Sequence, residues 1–286
     1  MITTVHTTWY PHYHYSARTF AARFQDITRK TRMQINKYER GLHDKVAVVT
    51  GAALGNGRAF CERLAEEGAH IAIADIADAS ETVAAVKAIG GRVSFHQGDL
   101  TDPDEVQRIT DDIVKEYGRI DILVHNVGVY EEEPFELLTF AQWKRMITIS
   151  LDSLFLTVHA AVPVMKQNSF GRIIMLSSDT VWLGTPYLTH YATAKMGMIG
   201  FTRSLAAEVG KYGITVNTIT VGLTATQKPD NSPLSGSILQ HILPAQSVQR
   251  SDEPHDIANV VAFLALPASG IITGQSINVD GGVARH

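Results

Sequence analysis

Tyr191 and Lys195 lie four residues apart in the stretch THYATAKMGMIG, residues 189–200. Side chains with this spacing share one face of a helix, so a phenol and an amine could act on one bound molecule. An enzyme that removes hydride from an alcohol carbon must also take the hydroxyl proton, and a phenol with a pKa of about 10 needs a nearby cation to do so at neutral pH. Because the chain has 9 tyrosines in 286 residues, this spacing arises readily by chance and needs support from other motifs.

A second candidate site is the turn in VVTGAALGNGRAF, where Gly51, Gly55 and Gly57 stand between an apolar run and a helical pattern. Glycines there let the backbone approach a pyrophosphate at a helix N-terminus, although they would also suit a tight turn with close helix packing. Asp75 ends the next apolar run, near the position where a carboxylate binds the adenosine ribose and repels a 2′-phosphate. This pattern predicts NAD as the cofactor, and Arg58 in the turn leaves NADP as the alternative.

These residues follow short apolar runs that alternate with longer segments of helical periodicity. Such alternation predicts parallel strands joined by right-handed crossovers, with helices on both faces of the sheet. We therefore predict an α/β protein with a Rossmann-type doubly wound parallel sheet of about seven strands in a three-layer α/β/α arrangement. The runs are KVAVVT, HIAIAD, RVSFHQGD, IDILVHN, GRIIMLSS, GITVNTIT and GQSINVD.

Composition excludes several classes of function. The net charge of −4 and the lack of a long Lys/Arg run give no electrostatic footprint for nucleic acid. The single cysteine, Cys61, excludes an intrachain disulfide and is expected to be a small buried group in a helix, which fits a reducing cytoplasm. We identify no window of about eighteen apolar residues, so we expect a soluble cytoplasmic protein with no membrane partner.

The first forty residues are rich in His, Tyr, Thr and Arg and poor in acids. We interpret residues 1–41 as an N-terminal extension and residues 42–286 as a single dinucleotide-binding catalytic domain. The extension could be an arm that packs on the domain or on a neighbouring subunit, an upstream segment before a natural start at Met33, or a transit-like segment. Its histidines could suggest a metal site, but a tail seldom orients metal ligands, so no metal is predicted.

Further motifs match the pattern of one family. They are Thr50-Gly51-x-x-x-Gly55-x-Gly57, Gly98-Asp99-Leu100, Asn126-x-Gly128, Ser178, Tyr191-x-x-x-Lys195 and ITGQSINVDGG. On these motifs, residues 42–286 resemble the short-chain dehydrogenase/reductase family. Within it, the stretches PFELLTFAQWKRM and HYATAKMGMIGFTRSLAAEVGKYGITVN are most similar to NAD-dependent secondary-alcohol dehydrogenases of the (S)-1-phenylethanol dehydrogenase type.

The resemblance implies an NAD(H)-dependent oxidoreductase that interconverts a secondary alcohol and a ketone, with a small apolar or aromatic substrate. Tyr191 would be the general acid/base, Lys195 would support it and bind the nicotinamide ribose, and Ser178 would orient the carbonyl oxygen. The alternatives are a 3-oxoacyl-thioester (acyl carrier protein) reductase of the same family and a non-catalytic NAD-binding scaffold. Relatives form homotetramers through two long helices, which correspond here to about residues 139–167 and 189–212.

The resemblance also implies which residues would contact the NAD. They come from turns that follow successive apolar runs, as expected where parallel strands end at one edge of a sheet. These residues are Gly51, Leu54, Gly55, Asn56, Gly57, Asp75, Ile76, Asp99, Leu100, Asn126, Gly128, Tyr191, Lys195, Gly222, Thr224 and Thr226.

Two positions depart from the family pattern. Ser150 stands where the family usually has a catalytic asparagine that helps to hold a proton-relay water. Its hydroxyl could bind that water in a different way, or it could simply pack within a helix. Val221 replaces a proline before Gly222, and the loss of that restriction predicts a looser loop.

Residues that would select the substrate are less specific. Trp182, Leu183, Tyr187 and His190 could line a pocket that accepts an aromatic group, and Trp182 could equally pack beneath a lid. The composition of residues 226–250 is typical of such a lid over a cofactor site.

Overall fold

Seven strands form one sheet in the computed structural model, which describes residues 41–226 and 243–285. They are β1 Val46–Thr50, β2 His70–Asp75, β3 Val93–Gln97, β4 Ile122–His125, β5 Gly171–Ser178, β6 Ile214–Val221 and β7 Ser276–Val279. The strand order is β3-β2-β1-β4-β5-β6-β7, and all neighbouring pairs are parallel. The order reverses between β1 and β4, which is where a doubly wound sheet forms its ligand crevice. The predicted fold class is confirmed.

Helices cover both faces of this sheet. They are α1 Gly55–Glu66, α2 Ser80–Ala88, α3 Pro103–Tyr117, α4 Phe140–Ile147, α5 Ser153–Asn168, α6 Thr180–Leu183, α7 Thr189–Val209 and α8 Pro254–Ala265. One buried cluster includes Phe60 of α1 and Val261 of α8. The other includes Ile109 of α3, Leu154 of α5 and Met198 of α7. Alternate residues of the central strands enter the two clusters, so the three-layer α/β/α arrangement follows from the pleat of the sheet.

Helix α3 shows how the sequence sets these elements. Asp102 accepts hydrogen bonds from the backbone N–H groups of Asp104 and Glu105, and Pro103 occupies the first turn. The helix ends at Gly118, which has a left-handed backbone conformation. An acidic cap, an N-terminal proline and a C-terminal glycine are the signals that place the ends of a helix in a sequence.

The longest helical stretch, Phe140–Asn168, joins α4 and α5 through a wider π turn, Thr148–Asp152. Its most apolar 18-residue window has a mean hydropathy of 1.6, long and apolar enough to cross a bilayer by composition. The expectation that no window reaches this apolarity is therefore wrong. Leu154 and Met165 place one face of the stretch in the core, and 33% of the window is buried.

The first described residues pack into the domain. Residues Gly41–His286 form one compact unit. Leu42 is fully buried, and its N–H donates to the carbonyl of Glu67 at 2.7 Å. The predicted extension lies outside the described residues except for Gly41, and its interpretation stays a prediction.

Asp121 offers a test of what holds the sheet together. Its fully buried carboxylate accepts the N–H of Val46 at 2.9 Å and two hydrogen bonds from Arg119 at 2.6 and 2.7 Å. Asp121→Ala should lower the free energy of unfolding by about 2–4 kcal/mol, because a buried N–H and a guanidinium lose their partner. Urea denaturation at a fixed protein concentration measures this loss.

The matched control is Asp111→Ala. The Asp111 carboxylate is exposed and accepts a hydrogen bond from Gln107 on the same helix. This change should cost less than about 0.5 kcal/mol. Equal losses in the two variants would contradict the role given to Asp121.

Candidate active site

The loops at the carboxyl ends of β1 and β4 are fastened to each other. The Asn126 side-chain amide donates to the carbonyl of Gly51 at 2.7 Å, and the Asn126 N–H donates to the Thr50 hydroxyl at 3.1 Å. Thr50 is buried at the end of β1. Asn126 therefore positions the glycine turn, which is a structural task within the predicted cofactor site.

The glycine turn forms a cradle that side chains would fill. A Cβ on Gly57 would lie 2.3 Å from the carbonyl oxygen of Gly51, so the backbone could not keep its path. Gly55 has a φ of 62°, and a Cβ there would lie 3.4 Å from Cγ2 of Thr226. Thr226, in the loop after β6, therefore faces the turn after β1 across the crevice.

Two further observations fit this cradle to a dinucleotide phosphate. Leu54, which precedes α1, supplies no side-chain hydrogen bond to the first turn of the helix. The Oδ1 atom of Asn56 is buried and has no protein partner. A helix N-terminus without a side-chain cap suits an anion, because the first-turn N–H groups need an acceptor.

The next turns place the residues expected to meet the adenosine. Asp75 ends β2, and its carboxylate accepts the N–H groups of Ala53 at 2.8 Å and Ala77 at 2.9 Å. Ile76 is exposed beside it. The carboxylate is thus tied to the glycine turn and lies at the rim of the crevice.

The turn after β3 adjoins Asp75. The N–H of Gly98 donates to the Asp75 carbonyl at 3.0 Å. Asp99 is exposed and accepts hydrogen bonds from the N–H and hydroxyl of Thr101 at 2.9 and 2.8 Å, whereas Leu100 is buried against the α3 side of the sheet. The structure therefore brings Asp75 and Asp99 to neighbouring turns, as the sequence predicts.

Lys195 reaches from α7 across the end of β5. Its buried Nζ donates to the carbonyl of Leu176 at 2.7 Å, and a Cβ on Gly128 would lie 3.2 Å from it. Burial lowers the pKa of Lys195 to about 8. The Ser177 hydroxyl donates to the Lys195 backbone carbonyl at 2.9 Å, so Ser177 fastens α7 to β5.

Tyr191 lies one helical turn before Lys195, and the structure corrects its expected acidity. Burial raises the pKa of Tyr191 to about 12, a hydrogen bond from Ser178 lowers it, and the charge of Asp179 raises it. The expected lowering by Lys195 is not found: burial is the largest influence on this pKa, and the side chains that shift it are Ser178 and Asp179. Nζ of Lys195 donates to a backbone carbonyl and lies 5.7 Å from the phenol ring centre.

Ser178 ends β5 and shares the site with Tyr191. Its oxygen accepts the Thr180 N–H at 3.3 Å and the Thr180 hydroxyl at 3.0 Å. The Ser178 hydroxyl is 3.3 Å from Oδ1 of Asp179, and Ser178 lies close enough to the Tyr191 phenol to lower its pKa. The structure therefore brings the predicted orienting serine close to the predicted general acid/base.

Ser150 is buried in the π turn, where its hydroxyl donates to Sδ of Met146 at 3.7 Å. Among the described residues it makes no hydrogen bond to Lys195. His125 is the buried polar group here: Thr157 and Ser153 hydroxyls lie 3.2 and 3.5 Å from its two ring nitrogens. Burial and the Lys195 charge lower the pKa of His125 to about 3. These contacts favour the packing interpretation of Ser150.

The looser loop that Val221 predicts stays a prediction, and the segment up to Thr224 pairs with its neighbours. Val221 pairs with Ser178 on β5 and with Val279 on β7, so a residue that keeps its N–H extends the strand. Gly222 then donates to the Val279 carbonyl at 3.0 Å, and Thr224 forms an isolated bridge with Asp252. Residues 227–242, most of the predicted lid, lie outside the described residues.

The four residues of the predicted substrate pocket lie in different surroundings. The Trp182 indole N–H donates to Oδ1 of Asn278 on β7 at 3.1 Å, which favours the packing interpretation. Leu183 and Tyr187 are exposed, whereas His190 is buried with no hydrogen-bond partner at Nδ1.

Sequence reasoning missed two side chains of this site. Tyr130 packs edge-on against Tyr191, with ring centres 5.2 Å apart, and its hydroxyl donates to Glu132 at 2.7 Å. Asp179 adjoins Ser178 in the chain and in space. The available signal was position alone, because Asp179 directly follows the run that ends at Ser178 and Tyr130 lies four residues after the run that ends at Asn126. Within 41–226 and 243–285, no group of three or more His, Cys, Asp or Glu side chains could hold a metal ion.

Comparisons with known proteins extend these observations. A family model described as enoyl-(acyl carrier protein) reductase matches residues 51–284. A hydroxy(phenyl)methylsuccinyl-CoA dehydrogenase subunit of Thauera aromatica is 38% identical over 245 residues, which are 85% of this chain and 97% of that protein. A 3-oxoacyl-(acyl-carrier-protein) reductase of Staphylococcus aureus is 35% identical over 243 residues, 84% and 98% of the two chains.

Solved structures agree with the fold. A short-chain dehydrogenase from Mycobacterium paratuberculosis bound to NAD matches with a TM-score of 0.79 and 32% identity, over 85% of this chain and 98% of that one. Levodione reductase matches with a TM-score of 0.79 and 29% identity, over 84% and 98%. The chain therefore belongs to the short-chain dehydrogenase/reductase family and is an oxidoreductase of that family.

Proposed function

We propose that this protein is an NAD(H)-dependent oxidoreductase of the cytoplasm that interconverts a secondary alcohol and a ketone. The observation that carries the proposal is the convergence of Ser178, Tyr191 and Lys195 at the sheet edge that also holds the glycine cradle. When bound there, the nicotinamide cofactor supplies or accepts the hydride.

The three side chains would divide the remaining work. Ser178 and Tyr191 donate hydrogen bonds to the carbonyl oxygen, and Tyr191 gives up its proton to that oxygen as hydride reaches the carbon. The product alcohol then carries the hydride on its carbon and the Tyr191 proton on its oxygen. The Lys195 ammonium offsets the negative charge left on the phenolate. A pKa of about 12 keeps Tyr191 protonated at neutral pH, which is the form that can donate a proton to a ketone oxygen.

The charges around the cradle support NAD over NADP. Asp75 would repel a 2′-phosphate at the adenosine ribose. Arg58, the basic residue that left NADP open, is paired with Glu62 at 2.8 Å and with Glu81 at 3.5 Å. These contacts hold its guanidinium along α1 and towards α2, so the rim offers little positive charge to a phosphate.

The rim of the site supports a small apolar or aromatic ketone. Tyr130, Leu183 and Tyr187 give it exposed apolar surface. Three consecutive acids also lie here: Glu132 accepts from Tyr130, Glu131 pairs with Arg145, and Glu133 accepts from Gln142 at 3.0 Å. Carboxylates at the mouth disfavour anionic substrates.

A 3-oxoacyl-thioester reductase is the second candidate. The likeness to the Staphylococcus aureus reductase and to the Thauera aromatica CoA-substrate dehydrogenase favours it. Acyl carriers and coenzyme A are anionic, so the acidic rim is the feature that weighs against this candidate.

We also propose that the chain assembles as a homotetramer through its long helices. Phe140 and Phe155 on Phe140–Asn168 and Met196 on α7 are exposed apolar side chains. Large exposed apolar patches on soluble proteins usually mark interfaces. Only 33% of the apolar window in this helical stretch is buried, so much of its apolar surface is left exposed by the core.

The catalytic assignment is tested by Tyr191→Phe. Removing the phenol hydroxyl should lower kcat at least about 1,000-fold, because no other hydroxyl supplies the proton, while NADH binding stays within about threefold. Turnover of aryl, alkyl, sugar and thioester ketones with NADH and NADPH measures kcat, and fluorescence titration measures binding. Tyr117→Phe, on α3, is the control and should keep its activity. Substantial turnover by the Tyr191 variant would refute the assignment.

Cofactor choice is tested at Asp75. Asp75→Asn keeps an acceptor for Ala53 and removes the charge, and Asp75→Ala removes both. Both variants should lose about tenfold of their preference for NADH over NADPH, because repulsion of the 2′-phosphate is gone. Asp75→Ala should also weaken NADH binding. Kinetics with both cofactors measure the ratio, and an unchanged ratio in both variants would count against the ribose contact.

Assembly is tested by Phe155→Glu. A charge on the apolar face should convert the tetramer to smaller species, since a buried unpaired carboxylate opposes association. Light scattering coupled to size-exclusion chromatography measures the mass. Ile89→Glu, which changes an exposed apolar side chain at the end of α2, should leave the mass unchanged. A parent protein with the mass of a monomer would contradict this proposal.

A further inference from the structure

Asp179 is a buried carboxylate that adjoins the substrate-orienting serine. Its N–H donates to the Val221 carbonyl at 3.0 Å, and its own carbonyl accepts from the N–H of Trp182 at 2.8 Å. The backbone between β5 and α6 is therefore fixed. Oδ1 of Asp179 lies 3.3 Å from Oγ of Ser178, within hydrogen-bond distance.

Ser178 has one proton for several acceptors. Its oxygen already accepts the N–H and the hydroxyl of Thr180 at 3.3 and 3.0 Å, which occupy both of its acceptor positions. The remaining O–H can serve one acceptor at a time. Asp179 accepts this hydroxyl at 3.3 Å, and a ketone oxygen in the site would be a competing acceptor.

We propose that Asp179 is a positioning residue that competes with the ketone for the Ser178 proton. This inference rests on the proposed ketone chemistry. Ionised Asp179 draws the serine O–H towards itself, because a carboxylate accepts more strongly than a ketone oxygen. Protonated Asp179 releases the O–H to the substrate. The residue thus links the orientation of the ketone to pH.

The groups around Asp179 bring the pH at which it ionises close to neutral. It faces the carboxylates of Asp280 after β7 and Asp252, and the phenols of Tyr191 on α7 and Tyr130 after β4. Burial and the two carboxylates raise the pKa of Asp179 to about 6, while the hydrogen bond from Ser178 lowers it.

The first experiment measures the hydrogen bond without turnover. Aspartate carboxyl carbons are followed by carbon-13 NMR across pH, and Asp179→Asn assigns the Asp179 resonance by its loss. The midpoint should lie near pH 6. Ser178→Ala should raise it by at least about 0.5 unit, because the ionised carboxylate loses its donor. Ser177→Ala, whose hydroxyl bonds Lys195 instead, should leave it unchanged. A midpoint that Ser178→Ala does not raise would overturn the proposal.

The second experiment measures the effect on reduction. In the parent protein, kcat/KM for ketone reduction should fall about tenfold as pH rises through about 6, the effect of losing one hydrogen bond from Ser178 to the substrate. Asp179→Asn should lack this fall, and Asp111→Asn, which removes an exposed charge on α3, should keep it. The same fall in Asp179→Asn would overturn the inference. If the parent protein reduces no ketone, the proposed function fails and the NMR titration alone decides on Asp179.

Discussion

The candidate site depends on one buried cation. The Lys195 ammonium has left water, and a backbone carbonyl at 2.7 Å takes over part of its solvation. A buried charge keeps its position only where such partners are fixed. Gly128 leaves room for the amine, and Ser177 ties the Lys195 backbone to β5. The relative position of α7, β5 and the turn after β4 is therefore set around a single side chain.

Loss of water acts on both members of the Tyr-Lys pair, and it favours the neutral form of each. The pKa of Lys195 falls to about 8 and that of Tyr191 rises to about 12. The phenol is therefore protonated at neutral pH. It can donate its proton to a ketone oxygen as that oxygen gains negative charge. The same burial keeps His125 neutral, with a pKa of about 3, so this imidazole does not compete as a proton donor.

The sequence predicted the parts of the protein that local rules govern. Seven apolar runs gave the seven strands, and the spacing of Gly51, Gly55 and Gly57 gave the cradle, because strand period and backbone clearance are local properties. Contacts between distant elements were not predictable in this way. The position of Tyr130 against Tyr191 depends on how the turn after β4 meets α7. The direction of the Tyr191 pKa depends on burial, which no spacing reveals.

The departure at Ser150 is best understood together with His125. A buried imidazole needs partners for both nitrogens, and the hydroxyls of Ser153 and Thr157 supply them from α5. The π turn Thr148–Asp152 immediately precedes α5 and sets which residues of that helix face β4. The network is complete without Ser150, whose hydroxyl turns to Met146. The hydroxyls that contact the buried imidazole behind Lys195 therefore come from Ser153 and Thr157, and Ser150 contributes to the packing of the π turn.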